Sequence, residues 1–129
     1  VTERAPLQRR APHVLVAIVF TVAGVAHLIV PAFFEAIVPP WLPSPGALVF
    51  WSGVAEIMGG LGVLHPRTRT LAGWWLLALL VAVFPANVHM LRDALANDAA
   101  PWWLAALILR LPMQPLLMWW VWRATVRPG

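Results

Sequence analysis

The chain contains no cysteine. Thiol exchange, a disulfide relay, cysteine-ligated zinc and iron–sulfur ligation by this chain alone are therefore excluded. Charge is nearly as scarce: Asp, Glu, Lys and Arg make up 11% of the residues, against roughly 25% in ordinary soluble domains. Hydrophobic residues make up 61% of the chain, which indicates a membrane protein, and 129 residues leave room for one domain. The nine basic residues are all arginine, and the formal net charge is +4. Most of them lie outside the apolar runs, so the charge reports topology and lipid headgroups. Nucleic acid is not an expected partner, because no basic stripe with interleaved exposed aromatics falls on a soluble element.

What the chain does have is a set of long apolar runs. Residues 1–13 form a basic lead interrupted by Pro6 and Pro12, expected to lie at the membrane surface. Its Arg9-Arg10 pair raises the question of an export signal. A retained anchor is the preferred reading, because the following apolar run exceeds the roughly 7 to 15 residues of a signal h-region. Spans are expected at about 14–30, 47–64, 70–91 and 102–122, all within one transmembrane domain covering 1–129. The fold class is all-α, an integral membrane four-helix bundle. Between the first two spans, Phe33, Phe34, Ile37 and Val38 recur at helical spacing before Pro39, Pro40, Pro43 and Pro45. A short interfacial helix followed by a stiff proline-rich segment would cap one end of the bundle. The brief 65–69 connection makes the second and third spans antiparallel neighbours, and a polar loop, 92–101, leads to the fourth.

Arginine placement predicts orientation. With the N-terminus inside, Arg4, Arg9, Arg10, Arg67, Arg69, Arg123 and Arg127 are cytoplasmic and only Arg92 lies in an outer loop, so both termini face the cytoplasm. Trp41, Trp51, Trp102 and Trp103 then mark the outer interface, and Trp74, Trp75, Trp119, Trp120 and Trp122 the inner one. These tryptophans are belts before they are a ligand cage.

Each span carries at least one residue that is costly in lipid. Glu56 is the most conspicuous: an ionised acid at mid-span costs roughly 2.5 to 3.5 kcal/mol on insertion scales, so a partner or a neutralising proton is expected. Arg110 is the obvious partner. Ser52, Gly53, Glu56 and Gly60 share one helical face, and small residues flanking an acid suit close approach by another helix. Counting at 1.5 Å per residue puts Glu56 and Arg110 each roughly 12 Å below the outer surface, with His27 and Asn87 shallower and Gln114 slightly past the midplane. His27, Glu56, Asn87, Arg110 and Gln114 thus form a candidate polar centre, ligand-binding or structural, in the outer half. Pro112 and Pro115 deprive the carbonyls of Ile108 and Leu111 of their usual donors, and Arg110 and Gln114 can either replace those donors or face a cavity.

Each of these residues also has a structural reading. A buried Glu56–Arg110 pair would fix helix register, and such pairs often add specificity without net stability. His27 is more often a hydrogen-bonded interior histidine than a ligand, and His89 meets headgroups. A metal site at His27, Glu56 and His89 would draw on three helices with no local spacing motif, and none is expected. Gly59, Gly60 and Gly62 are packing glycines rather than a phosphate loop, since no strand precedes them.

Five blocks resemble a known family: Ala23-Gly24-Val-Ala-His27-Leu; Pro31 through Phe33-Phe34 to Pro39-Pro40-Trp41-Leu-Pro43; Ser52-Gly53-Val-Ala-Glu56 with Gly59-Gly60; Phe84-Pro85-Ala-Asn87; and Arg110-Leu-Pro112-Met-Gln114-Pro115. Together they are similar to the DoxX-like small four-helix bacterial membrane proteins. That resemblance implies a bacterial cytoplasmic (inner) membrane location and a link to membrane redox complexes, and for distant relatives a part in receptor assembly. Where redox-linked relatives use thiols, this chain has none.

Two functions remain open at this stage. One is a small accessory or scaffold subunit of a membrane complex, redox-linked if the resemblance holds, with the lipid bilayer and a larger assembly or a second copy as partners. The other is a binder of a lipophilic molecule such as a quinone in an outward-facing pocket, as an oxidoreductase component. Glu56 or His27 would then exchange a proton while Arg110 stabilises negative charge. No cofactor other than a quinone or similar lipophilic ligand is suggested. A transporter ranks third, because four spans without an internal repeat are few for alternating access.

Overall fold

A computed structural model describes residues 4–36 and 38–127, with side chains from residue 12 onward. Ile37, the outermost residues of the basic lead and tail, and the side chains of Arg4, Arg9 and Arg10 lie outside that description. Among the described residues the regular secondary structure is all helix, joined by turns. Five α-helices follow in order: α1 Arg4–Ile29, α2 Pro31–Glu35, α3 Pro45–Gly62, α4 Arg69–Ala96 and α5 Pro101–Val121, the last running into a π-helical turn, Trp122–Val126. Three stretches, Pro12–Ile29, Arg69–Ala96 and Pro101–Val126, are long and apolar enough to cross a membrane. α3 has 18 residues but is not among them, because Ser52, Glu56 and five glycines dilute its apolar side chains.

Several boundaries have local causes. α2, α3 and α5 each begin with proline in the first turn, where the missing N–H is no loss and the fixed φ favours the helix. α4 outlasts the expected 70–91 span by a turn and a half, taking Arg92 and Asp93 out of the expected loop, because Arg92 to Ala96 contains no helix breaker. It stops where Asp98 turns left-handed at φ 50° and the Ala99 N–H donates to the Ala94 carbonyl at 3.0 Å, a Schellman closure. Asn97 adds a side-chain bond to the Asp93 carbonyl at 2.9 Å. At the other end of the chain, α1 begins ten residues before the expected span. Pro6 lies in its first turn, and Pro12 is carried inside it.

The α3–α4 connection is closed by its own side chains. Thr68 donates to the Gly62 carbonyl at 2.5 Å, and the Arg69 guanidinium donates to the carbonyls of Val63 at 2.8 Å and Leu64 at 3.3 Å. These are the carbonyls that the end of a helix leaves without donors.

Helix packing is antiparallel and sequential in space. α3 lies between α1 and α4, and α5 lies against α4. On the α1–α3 seam the backbones touch: a Cβ on Gly24 would stand 2.6 Å from the Gly53 carbonyl oxygen, and one on Gly53 would stand 2.8 Å from the Gly24 carbonyl oxygen. Gly60 faces Thr21 and Ala17 on the same seam, while Gly59 turns the other way, onto Leu76 and Trp75 of α4. Trp75 also donates its indole N–H to the Ala55 carbonyl at 2.9 Å. The buried core gathers near the α3–α4 connection, from Val16, Phe20, Val63, Leu76, Leu80 and Val121 among others. There the π turn seats Thr125, 5% exposed, on Gly73, whose missing Cβ makes the room. Val14, Leu15, Ile18, Val19, Val22 and Val25 of α1 are exposed, a continuous apolar surface of the kind that marks a membrane or partner contact.

Candidate functional site

Gly24 and Gly53 decide where the first polar pair forms. Because α1 and α3 run antiparallel, His27 stands across from Gly53, where an added Cβ would be 2.8 Å from the His27 Cβ. The His27 and Glu56 side chains each lean toward their helix's N-terminus and so meet over the glycine contact. Nδ1 of His27 lies 3.2 Å from Oε2 of Glu56, and both side chains are 14% exposed. That nitrogen is already engaged: it lies 2.7 Å from the Ala23 carbonyl oxygen. A carbonyl can only accept, so Nδ1 carries the hydrogen and spends it there. The carboxylate oxygen therefore sits close to the imidazole without receiving a hydrogen bond from it, and Glu56 Oε2 is buried without a donor. The other face of His27 is covered by Phe34 of α2, ring on ring at 3.9 Å between centroids and 17° between planes.

A second group forms on the α4–α5 seam. Gln114, 4% exposed, donates its side-chain N–H to the Leu80 carbonyl of α4 in a very short contact. Its own carbonyl oxygen accepts from Arg110 Nη1 at 3.3 Å. The expected alternative, in which these two side chains serve the proline-freed carbonyls of Ile108 and Leu111, is not what forms: the amide reaches across to the neighbouring helix. Both α4 and α5 run through their internal prolines, Pro85, Pro112 and Pro115, as continuous helices.

The expected Glu56–Arg110 pair is therefore corrected. Glu56 faces His27, Arg110 bonds Gln114, and among the described residues no ion pair or hydrogen bond joins the two groups. The reason is helix adjacency: α3 lies on α1, whereas α5 lies on α4, and charge complementarity in a sequence carries no information about which helices touch. Asn87 belongs to neither pair, and its Nδ2 is buried without a partner. His89 is half-buried on α4. Among the described residues no three His, Asp or Glu side chains are gathered as metal ligands would be.

Sequence reasoning missed three participants. Thr21 presents a buried, unpartnered hydroxyl against Gly60; a hydroxyl at i−6 from His27 in an apolar run is a readable signal. Phe34 was visible as an apolar residue of a surface helix but not as the ring that covers His27. The Leu80 carbonyl carries no sequence signal at all.

The class these features define is an all-helical protein with several helices of membrane-crossing length and apolarity. The chain belongs to the family described as a domain of unknown function, DUF8561, whose model matches residues 16–125. Comparison with curated proteins and with solved structures found no match. The DoxX-like resemblance is overturned by the family that does match. The blocks that suggested it are rich in glycine, proline and aromatic residues, which recur in packed apolar helices for general reasons of close approach and interfacial anchoring. They do not separate one family of such proteins from another.

Proposed function

We propose that the chain is a small scaffold or accessory subunit of the bacterial cytoplasmic membrane, a four-helix bundle in which α1, α3, α4 and α5 cross and both termini are cytoplasmic. The observation that carries this reading is where the polar groups are spent. Gln114 bonds the α4 backbone from α5 and is itself held by Arg110 of its own helix, while the His27 and Glu56 side chains lie 3.2 Å apart between α1 and α3. Polar side chains used between helices act as glue within lipid. The apolar outer faces are left to contact lipid, a larger membrane complex or a second copy. Orientation is supported by seven arginines on one side of the four-span frame against Arg92 on the other. The link to redox complexes rested on the family resemblance and falls with it.

A second reading, binding of a lipophilic molecule such as a quinone, is favoured by Glu56 Oε2 and Asn87 Nδ2, both buried without partners. In this reading His27 and Glu56 would act without the direct help of Arg110, which is committed to the other seam. Glu56→Gln separates the two. A scaffold loses thermal stability or assembly in detergent, whereas a ligand site keeps its fold and loses a co-purifying lipophilic molecule seen by mass spectrometry. An intact variant that retains the wild-type complement of small molecules removes the support for binding. An intact variant that loses one of them counts against the scaffold.

A further inference from the structure

Between α1 and α3 the chain folds one short helix, α2, back over the end of the seam, and two contacts hold it there. Phe34 stacks on the His27 ring at 3.9 Å. Next to it, the Glu35 carboxylate lies over the first turn of α3, where Oε1 is 3.3 Å from the point a Cβ on Gly46 would occupy. The N-terminal residues of a helix present free N–H groups and the positive end of its dipole, which suits a carboxylate. α3 has no side-chain cap of its own, since Ser44 is left-handed at φ 49° and makes no capping bond. Glu35 brings a negative charge to that uncapped end, and glycine at 46 leaves the space for it. Phe34 lies on the imidazole of His27, and 3.2 Å from that ring's Nδ1 stands the donorless carboxylate oxygen of Glu56.

We propose that α2 is a hinged cover over Glu56, latched by Phe34 on His27 and by Glu35 on the start of α3, and that lifting it opens the α1–α3 seam to the aqueous face. By its chemistry, the group admitted is a hydrogen-bond donor, an O–H or N–H, because an oxygen acceptor is what the closed seam leaves unmatched. Deeper along the seam the helices are in close contact, a Cβ on Gly60 standing 2.7 Å from the Thr21 hydroxyl and 3.0 Å from the Ala17 carbonyl oxygen. Phe33 is the built-in comparison. It is the adjacent ring, meeting Phe34 edge-on at 5.2 Å, but it is 54% exposed and covers nothing on the seam.

The proposal rests on reading α3 as a lipid-embedded span, since a solvated α3 would leave Glu56 open with or without a cover. The test uses the full chain in detergent micelles, treated with a water-soluble carbodiimide and glycinamide at one pH, with the rate of amide formation at Glu56 followed by peptide mass spectrometry. In the wild type Glu56 reacts far more slowly than exposed Asp93. Phe34→Ala raises the Glu56 rate by about tenfold, the scale set by the loss of one ring stack, and Phe33→Ala leaves it unchanged. Glu35→Gln keeps the shape of the side chain and removes only its charge, so it reads the second latch even where Phe34→Ala fails to fold, and it raises the rate severalfold. Wild-type rates in the folded Phe34→Ala and Glu35→Gln variants would overturn the cover, as would an equal rise in Phe33→Ala. A wild-type Glu56 as reactive as Asp93 would instead overturn the reading of α3 as a span.

Discussion

A single amide, Gln114, ties α5 to α4 and at the same time occupies the Arg110 guanidinium. Replacing it with leucine removes both bonds while keeping the apolar volume. Interhelical hydrogen bonds in membrane bundles average about 0.6 kcal/mol and reach about 1.7, so Gln114→Leu should destabilise by about 1 kcal/mol in detergent unfolding. Arg110→Leu on that background should add little, because the guanidinium has by then lost its only described acceptor. A large additional loss would mean that Arg110 has a role outside this seam. Gly24 sits at the opposite extreme of chemistry with a similar importance. A Cβ there already meets backbone at 2.6 Å, so Gly24→Leu must push α1 from α3, at a cost of about 1 to 3 kcal/mol, and must separate His27 from Glu56. The measurable signs are a lower melting temperature and faster carbodiimide labelling of Glu56. At this scale the sequence revealed which residues were expensive, Glu56 and Arg110 above all, because cost depends on residue type and depth. It did not reveal their partners, because partnership depends on which helices touch.

Elements were legible where a connection is short: the brief 65–69 stretch made α3 and α4 neighbours, as observed. Pro45 and Pro101, expected in the stiff segment and the polar loop, instead open α3 and α5 as first-turn prolines. The boundaries that differed are those where polarity was taken for a stop signal. Arg92 and Asp93 are polar but excellent helix residues, so α4 continues to Ala96, and the arginine-rich lead is helical from Arg4 for the same reason. The true terminator of α4 is Asp98, a non-glycine residue at φ 50°. Left-handed backbone costs an L-residue with a Cβ about 1 kcal/mol, and glycine avoids most of that cost. Asp98→Gly should therefore raise stability by a few tenths to about 1 kcal/mol without moving the helix end. Asp98→Val should lower it, since a β-branched residue is poorly suited to that conformation. Thermal melts of both variants, followed by circular dichroism, read the sign directly.

For the whole molecule, the exposed apolar side chains and the membrane-length helices point the same way, but α3 makes the argument quantitative. Alone it is a poor span: Ser52, Glu56 and five glycines lower its apolarity, and an ionised acid at its centre would cost a few kcal/mol. Its glycines are what let α1 and α4 approach its backbone closely, and of these only α1 precedes it in the chain, so α3 should enter the membrane only with α1 already beside it. This predicts an order dependence. Phosphatase fused in the 97–100 connection of the intact chain should be active, as an external loop, and fused after Val126 it should be inactive. The same fusion at Leu64 should report cytoplasmic placement when α1 precedes α3. It should report failed insertion of α3 when α1 is replaced by an unrelated apolar span that lacks Gly24 and His27. Equal insertion of α3 behind either first span would show that its polar face does not need α1, and the α1–α3 seam would then be a consequence of assembly rather than its cause.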